Sequence, residues 1–233
     1  MKLSLLDMTQ NILSSLDSDE VSSIDETVEA VQVAEIIKES YYDLMAQRDW
    51  PFLRQLYSLD GLGNVNNPTK MKMPDDANKV FWIKYNGKDV EYVEPQAFLS
   101  IIDQRVPFTG VVDNNGYVLN RDPLYWTTYD DKYVVFDGRD STVDNTLVTS
   151  KTKVYGTKAP VWQHVDNFVP NLPDKFFPTL LAEAKAQAFV NLKQQVNARE
   201  ERKAQKGKLT MRNESWRNEE GEIKYNRKVN YGR

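Results

Sequence analysis

The residues able to do chemistry in this chain are few, and their spacing argues against catalysis. His164 is the single histidine. Any Ser-His-Asp triad or multi-histidine metal site would have to pass through it. No GxSxG surrounds a serine, and HExxH, the Walker loop and the Rossmann glycine fingerprint do not occur. His164 sits in VWQHVDNF, just ahead of a proline-punctuated link, and reads as a structural or surface residue. Asp137, Asp140 and Asp144 cluster in DGRDSTVD. A calcium loop needs alternating oxygen ligands and a closing glutamate, so this is an aspartate-rich turn. Asp130 and Asp131 read the same way. The 34 aspartates and glutamates leave room for a glycosidase pair, but no two stand out as flanking a cleft. We expect no catalytic residue, no metal and no cofactor.

The residue types suited to binding gather at the end of the chain. Residues 206–233, KGKLTMRNESWRNEEGEIKYNRKVNYGR, are polar, basic on balance and poor in aliphatics. Such a segment builds no core of its own. It nevertheless holds Trp216, Tyr225 and Tyr231, with Arg217 and Arg227 between them. Trp, Tyr and Arg supply most of the energy at protein interfaces. A segment of this composition is expected to be an extended arm that orders on a partner. Trp50, Trp82, Trp126 and Trp162, in contrast, lie in or beside patterned elements and read mostly as core.

Composition sets the frame for the arm. With 233 residues, 40% hydrophobic, the chain can bury a core of one domain with an insertion or two small ones. It has no cysteine, which excludes disulfides and thiolate metal sites. The first residues lack the pattern of a signal peptide, and no apolar run approaches the roughly 20 residues that span a bilayer. A soluble protein assembled in a reducing cytoplasm is the expectation. The net charge of -4 does not suit a nucleic-acid grip. It is unevenly spread: eleven acidic residues against Lys2, Lys38 and Arg48 up to Asp49, with the opposite bias in the arm.

Periodicity places the elements. Leu3 to Leu16 predicts a short helix, and Ser23-Ile-Asp-Glu26 a capping box opening a longer one that runs to about Gln47. Asp49-Trp50-Pro51 closes it. From Asp60 the period shortens. Lys79–Tyr85 and Lys88–Val93 flank Asn86-Gly87, a two-residue hairpin turn. Pro95 starts a short helix. Two more hairpins are expected about Asn115-Gly116 and Asp130-Asp131, then a strand from Leu147 to Tyr155. The last helix runs from about Asp174 to Gln205, its apolar stripe fading after Arg199. The fold class is therefore α+β, an antiparallel bundle of N- and C-terminal helices with an inserted antiparallel β domain and an extended C-terminal arm. The segments are 1–59 (first helices), 60–158 (β insertion), 159–205 (link and long helix) and 206–233 (docking tail).

That order of parts, carried by NILSSLDSDEVSSID, VAEIIKESYYDLMAQRDWPF, MPDDANKVFWIKYNGKDVEYVEPQAF, YWTTYDDKYVVF and LPDKFFPTLLAEAKAQAFVN, resembles the head-to-tail adaptors of tailed bacteriophages. Those adaptors include the tail tubular protein A family of short-tailed phages. The match spans about Asn11 to Asn191. The resemblance implies a homo-oligomeric ring, usually dodecameric, under the portal protein at one capsid vertex. Such a ring extends the DNA channel, lets genomic DNA pass without specific binding, and carries the tail nozzle or tail tube protein; no membrane is involved. In such adaptors a C-terminal extension grips the portal, a role that would fall here to Trp216, Arg217, Tyr225, Arg227 and Tyr231. Two other classes stay open: a virion-associated cell-wall glycan hydrolase, and a host-surface or tail-fibre binding module built on the β insertion.

Overall fold

The computed structural model describes residues 2–62, 67–105, 117–119, 121–130, 132–140 and 151–229, with 118–119 and 216–229 as backbone only. The protein is α+β, with five helices and an eight-stranded sheet among the described residues. The chain divides into two compact units, Met1–Leu53 with Pro160–Arg233, and Arg54–Ala159.

In the helical unit, α1 (Leu5–Ser15) is opened by Ser4, whose hydroxyl accepts from Asp7 N while Asp7 accepts from Ser4 N. This reciprocal box satisfies two free N–H groups and holds the Asp7 carboxyl below its usual range. The returning link satisfies two more: Leu5 N donates to Phe168 O and Leu6 N to Asp166 O. The second helix, α2 (Val28–Ala46), starts later than the Ser23 box predicts; its N-cap is Thr27, which accepts from Ala30 N at 3.1 Å. The cause is Asp166, whose carboxylate takes the Ile24 N–H at 2.8 Å and the Ser23 hydroxyl at 3.3 Å. Those groups are thereby held outside the helix. Leu5, Met8, Ile12 and Leu13 of α1, Ile37, Tyr41 and Leu44 of α2, and Leu180, Ala184 and Ala188 of α4 (Phe177–Lys193) share one buried core. A last helix, α5 (Ala198–Val229), follows.

In the second unit the strands are β1 (Arg54–Tyr57), β2 (Asp60–Gly61), β3 (Lys70–Lys72), β4 (Ala77–Tyr85), β5 (Lys88–Tyr92), β6 (Val118–Leu119), β7 (Tyr125–Thr128), β8 (Tyr133–Phe136), β9 (Gly138–Arg139) and β10 (Thr152–Lys158). The large sheet runs β1-β10-β4-β5-β7-β8-β3-β2, and β6 pairs with β9 separately. The β4–β5 hairpin turns on Asn86 and Gly87 with φ of 47° and 81°, as a two-residue primed turn requires. The β7–β8 hairpin also forms; that expected about Asn115-Gly116 lies outside the described residues. Two expectations need correction. The insertion is mixed rather than antiparallel, because α3 (Pro95–Arg105) carries the chain across and β7 pairs parallel to β5. Arg54–Tyr57, assigned to the first helices, is instead a strand of this unit, paired with β10.

Candidate docking helix

The segment expected to be an extended arm is helix. The long C-terminal helix is broken at Gln194, left-handed at φ 53°, and Asn197 restarts the chain by accepting from Glu200 N. The α5 helix then turns back along α4. Lys185 feels the charge of Glu200, Lys208 bonds Glu183 at 2.7 Å, Gly207 abuts Thr179, and Glu214 pairs with Lys175. As the α5 numbers rise their partners' numbers fall, so the two helices run antiparallel.

The seam between them is built from small residues. Ala204, Met211 and Ser215 are buried and Gly207 lies between them at helical spacing. Opposite stands Thr179, and the buried Ala182 and Ala186 share its side of α4 at helical spacing. A Cβ at Gly207 would fall 2.3 Å from Thr179 Oγ1 and 2.7 Å from its Cγ2. A mid-helix glycine costs about 1 kcal/mol of helix propensity, and here it permits the close approach. Burial pushes the Lys185 ammonium below its usual range; Glu200 opposes that shift and Lys203 adds to it. The apolar stripe was read as fading after Arg199 because alanine, glycine and serine carry little hydrophobic weight. Their recurrence every three or four residues was the available signal.

Helix lengths then decide what is left over. At 1.5 Å per residue, α4 is roughly 25 Å long and α5 roughly 48 Å. By Glu214 and Ser215, α5 has reached Lys175, in the single 3-10 turn Asp174–Phe176 ahead of α4. Beside this point Trp50 stacks on Phe52 at 5.9 Å, Phe52 meets Phe176 at 6.4 Å, and the Trp50 indole donates to Leu44 O. They line a cleft of about 100 Å³ with Lys175, Met211 and Ser215. The helix continues for the fourteen residues Trp216–Val229, roughly 20 Å beyond the start of α4.

Trp216, Arg217, Tyr225 and Arg227 all lie on this overhanging part of α5, while Tyr231 lies outside the described residues. A helix does not bring the four together. At about 100° per residue, Arg227 falls about 20° from Trp216, Arg217 about 100° away and Tyr225 on the opposite side. Tyr225 instead falls in line with Gly207, five helical turns earlier.

The residues singled out for chemistry have structural partners. The Asp137 carboxylate is fully buried; it accepts from Leu124 N, Tyr125 N and Arg105 at 2.8 to 2.9 Å, and so ties the end of α3 to β7. Asp130 closes its turn by accepting from Lys132 N and Tyr133 N. Asp131 and Asp144 lie outside the described residues. His164 lies on the link between two carboxylates, Nε2 3.4 Å from Asp25, which precedes α2, and Nδ1 3.7 Å from Glu35 of α2. Among the described residues no three His, Cys, Asp or Glu side chains gather as metal ligands, and no helix is long and apolar enough to cross a membrane. Trp50 and Trp126 are buried as core and Trp162 is partly buried, packed against Tyr41 and Phe168. Trp82 departs from that reading and is 38% exposed.

No protein-family model matches the chain, and no curated protein sequence matches it.

Proposed function

We propose that this protein is a structural component of a phage virion, a head-to-tail adaptor. Copies of the chain form a ring below the portal, the helical unit acting as the antiparallel bundle of its wall. The ring extends the DNA channel and carries the tail. The observation that carries the reading is the length of α5, whose backbone continues for some 20 Å past the residues that pair with the start of α4. That stretch is rich in the Trp, Tyr and Arg that anchor interfaces. Repeated around a ring, one modest helix–portal contact per copy gains by avidity. The acidic character of residues 1–49 suits a component beside moving DNA, since a basic lumen would hold phosphate.

The experiment is electron microscopy of the protein mixed with the portal protein of the same virus. A second ring stacked on the portal, with α5 density against portal subunits, is the expected result. Bare portal rings at excess adaptor refute the reading.

A further inference from the structure

The sheet unit presents an aromatic face of unusual construction. Opposite Tyr155, β4 carries one residue too many: Tyr155 pairs with Trp82 and Gly156 already with Val80, so Phe81 is a bulge. Gly156 is needed there, because a Cβ would fall 2.1 Å from Lys79 O. In a regular strand Phe81 and Trp82 would point to opposite faces. The bulge re-aims one of them, and both rings meet Tyr155, at 5.6 and 5.4 Å. Leu56 of β1 pairs with Tyr155 in register and is 63% exposed.

Cations surround this cluster. Arg54 and Lys79 lie over the Phe81 ring at 5.4 and 5.6 Å, and Lys84 over Trp82 at 5.8 Å. Lys153 stands opposite Lys84. Two carboxylates reach the far side, on β5: Asp89, which holds Lys84 at 3.0 Å, and Glu91. The face is cationic on balance. With ammonium and guanidinium groups over the Phe81 and Trp82 rings, stacking of a base or a sugar is hindered, and a protein surface fits better.

The same chain carries the complement. On the outside of α2, Val28, Gln32, Glu35, Glu39, Tyr42 and Asp43 recur at helical spacing. Val28 is 77% and Tyr42 38% exposed, unusual for a helix whose other faces fill a core. The stripe is apolar at both ends and acidic between. Its one neighbouring cation on the helix is Lys38, which Glu35 holds at 3.0 Å, and His164 lies beside Glu35.

We propose that the outer face of β1, β10 and β4 docks a second copy of this chain through the acidic outer stripe of its α2. Leu56, Trp82 and Tyr155 form the apolar centre, and the lysines meet Glu39 and Asp43. The contact joins two different surfaces, so it is heterologous and propagates until it closes into a ring or runs on as a filament. It deepens the adaptor reading, on whose ring it rests, by naming the contact between neighbours.

Charge exchange tests it. One variant carries Lys79→Glu and Lys153→Glu, the other Glu39→Lys and Asp43→Lys. Sedimentation velocity should show wild-type association that weakens with salt. Each variant alone should be monomeric, its self-affinity reduced on the order of 100-fold. An equimolar mixture should associate again, since each mutated surface then meets an opposite one. Recovery in the mixture also shows that both variants are folded. Variants that associate like wild type, or a mixture that stays apart, overturn the proposal. A wild-type chain that is monomeric at its highest soluble concentration also overturns it, even where that chain rings the portal and the adaptor reading stands.

Discussion

The overhang predicts that two truncations ten residues apart behave differently. A chain ending at Ser215 loses only the part of α5 that runs past α4. A chain ending at Gln205 also loses Gly207, Met211 and Ser215 from the seam, and the Lys208–Glu183 and Lys175–Glu214 pairs. Met211 is fully buried, and loss of such a side chain costs about 2–5 kcal/mol. The ion pairs are partly exposed and add at most about 1 kcal/mol each. The eight residues left of α5 are too few to hold as helix without packing. The longer deletion should therefore cost about 3–6 kcal/mol. At about 2–4 °C per kcal/mol for a chain of this size, Tm falls by roughly 6–24 °C. The shorter deletion should shift Tm by no more than about 3 °C and still abolish binding to the portal. Scanning calorimetry measures the first quantity and co-sedimentation with portal rings the second. If the deletion after Ser215 lowers Tm as far as the longer one, the overhang is part of the fold and cannot be a docking element. If it binds the portal as well as the full chain does, the docking residues lie elsewhere.

Gly207→Ala should destabilise by about 1 kcal/mol or more despite alanine's better helix propensity, because overpacking against Thr179 outweighs it; adding Thr179→Ala should restore most of the loss in urea unfolding. Asp137→Ala should cost about 3–5 kcal/mol in the sheet unit by leaving Arg105 and two backbone N–H groups without their acceptor, whereas a loss under about 1 kcal/mol would show that the carboxylate is dispensable. Ser4→Ala should cost about 1 kcal/mol. The folded Asp7 carboxyl is held below its usual value, so its share is present above the unfolded pKa and fades as pH falls through the folded one; the Ser4→Ala deficit should shrink in that acid window and stay constant at neutral pH. Trp216→Ala and Arg227→Ala, on one side of α5, should each weaken portal binding by about 2 kcal/mol, while Tyr225→Ala on the other side should cost less than half of that; equal effects in calorimetric titration would mean that the helix is gripped all round.

How much of this was legible follows from how local each signal is. The Asn86-Gly87 turn, the Pro95 helix start and the β7–β8 hairpin rest on residues within a few positions of one another, and all three form. The start of α2 was misplaced because Asp166, more than 140 residues away, takes the Ile24 N–H. The parallel β5–β7 pairing depends on where α3 returns the chain, which no local pattern states. Trp82 alternates outward between the buried Ile83 and the Phe81 bulge, and that bulge, which brings Phe81 to the same outer face, appears only once β10 is paired. For the candidate site, composition singles out Trp216, Arg217, Tyr225 and Arg227 but not their helical state, and the small residues of the seam that ends at Ser215 carry little hydrophobic signal.

The helical state of the arm changes how it would work. An extended arm that folds on its partner loses about 1–2 kcal/mol of backbone entropy per ordered residue. For fourteen residues that is a penalty of roughly 14–28 kcal/mol, which a contact as small as one segment would have to overcome. A helix already begun at Ala198 and held along α4 to Ser215 has nucleation behind it, and each further turn adds hydrogen bonds without a new nucleus. The seam fixes the direction in which the overhang leaves the helical unit. Its small residues let α5 lie close to α4. On this account stiffening or loosening the seam changes portal affinity without touching a docking residue. Gly207→Ala, which pushes the two helices apart, should therefore weaken docking through the direction of α5, and the Thr179→Ala rescue should recover affinity together with stability. Recovery of stability alone would separate the seam from the function and return the arm to an independent, partner-folded segment.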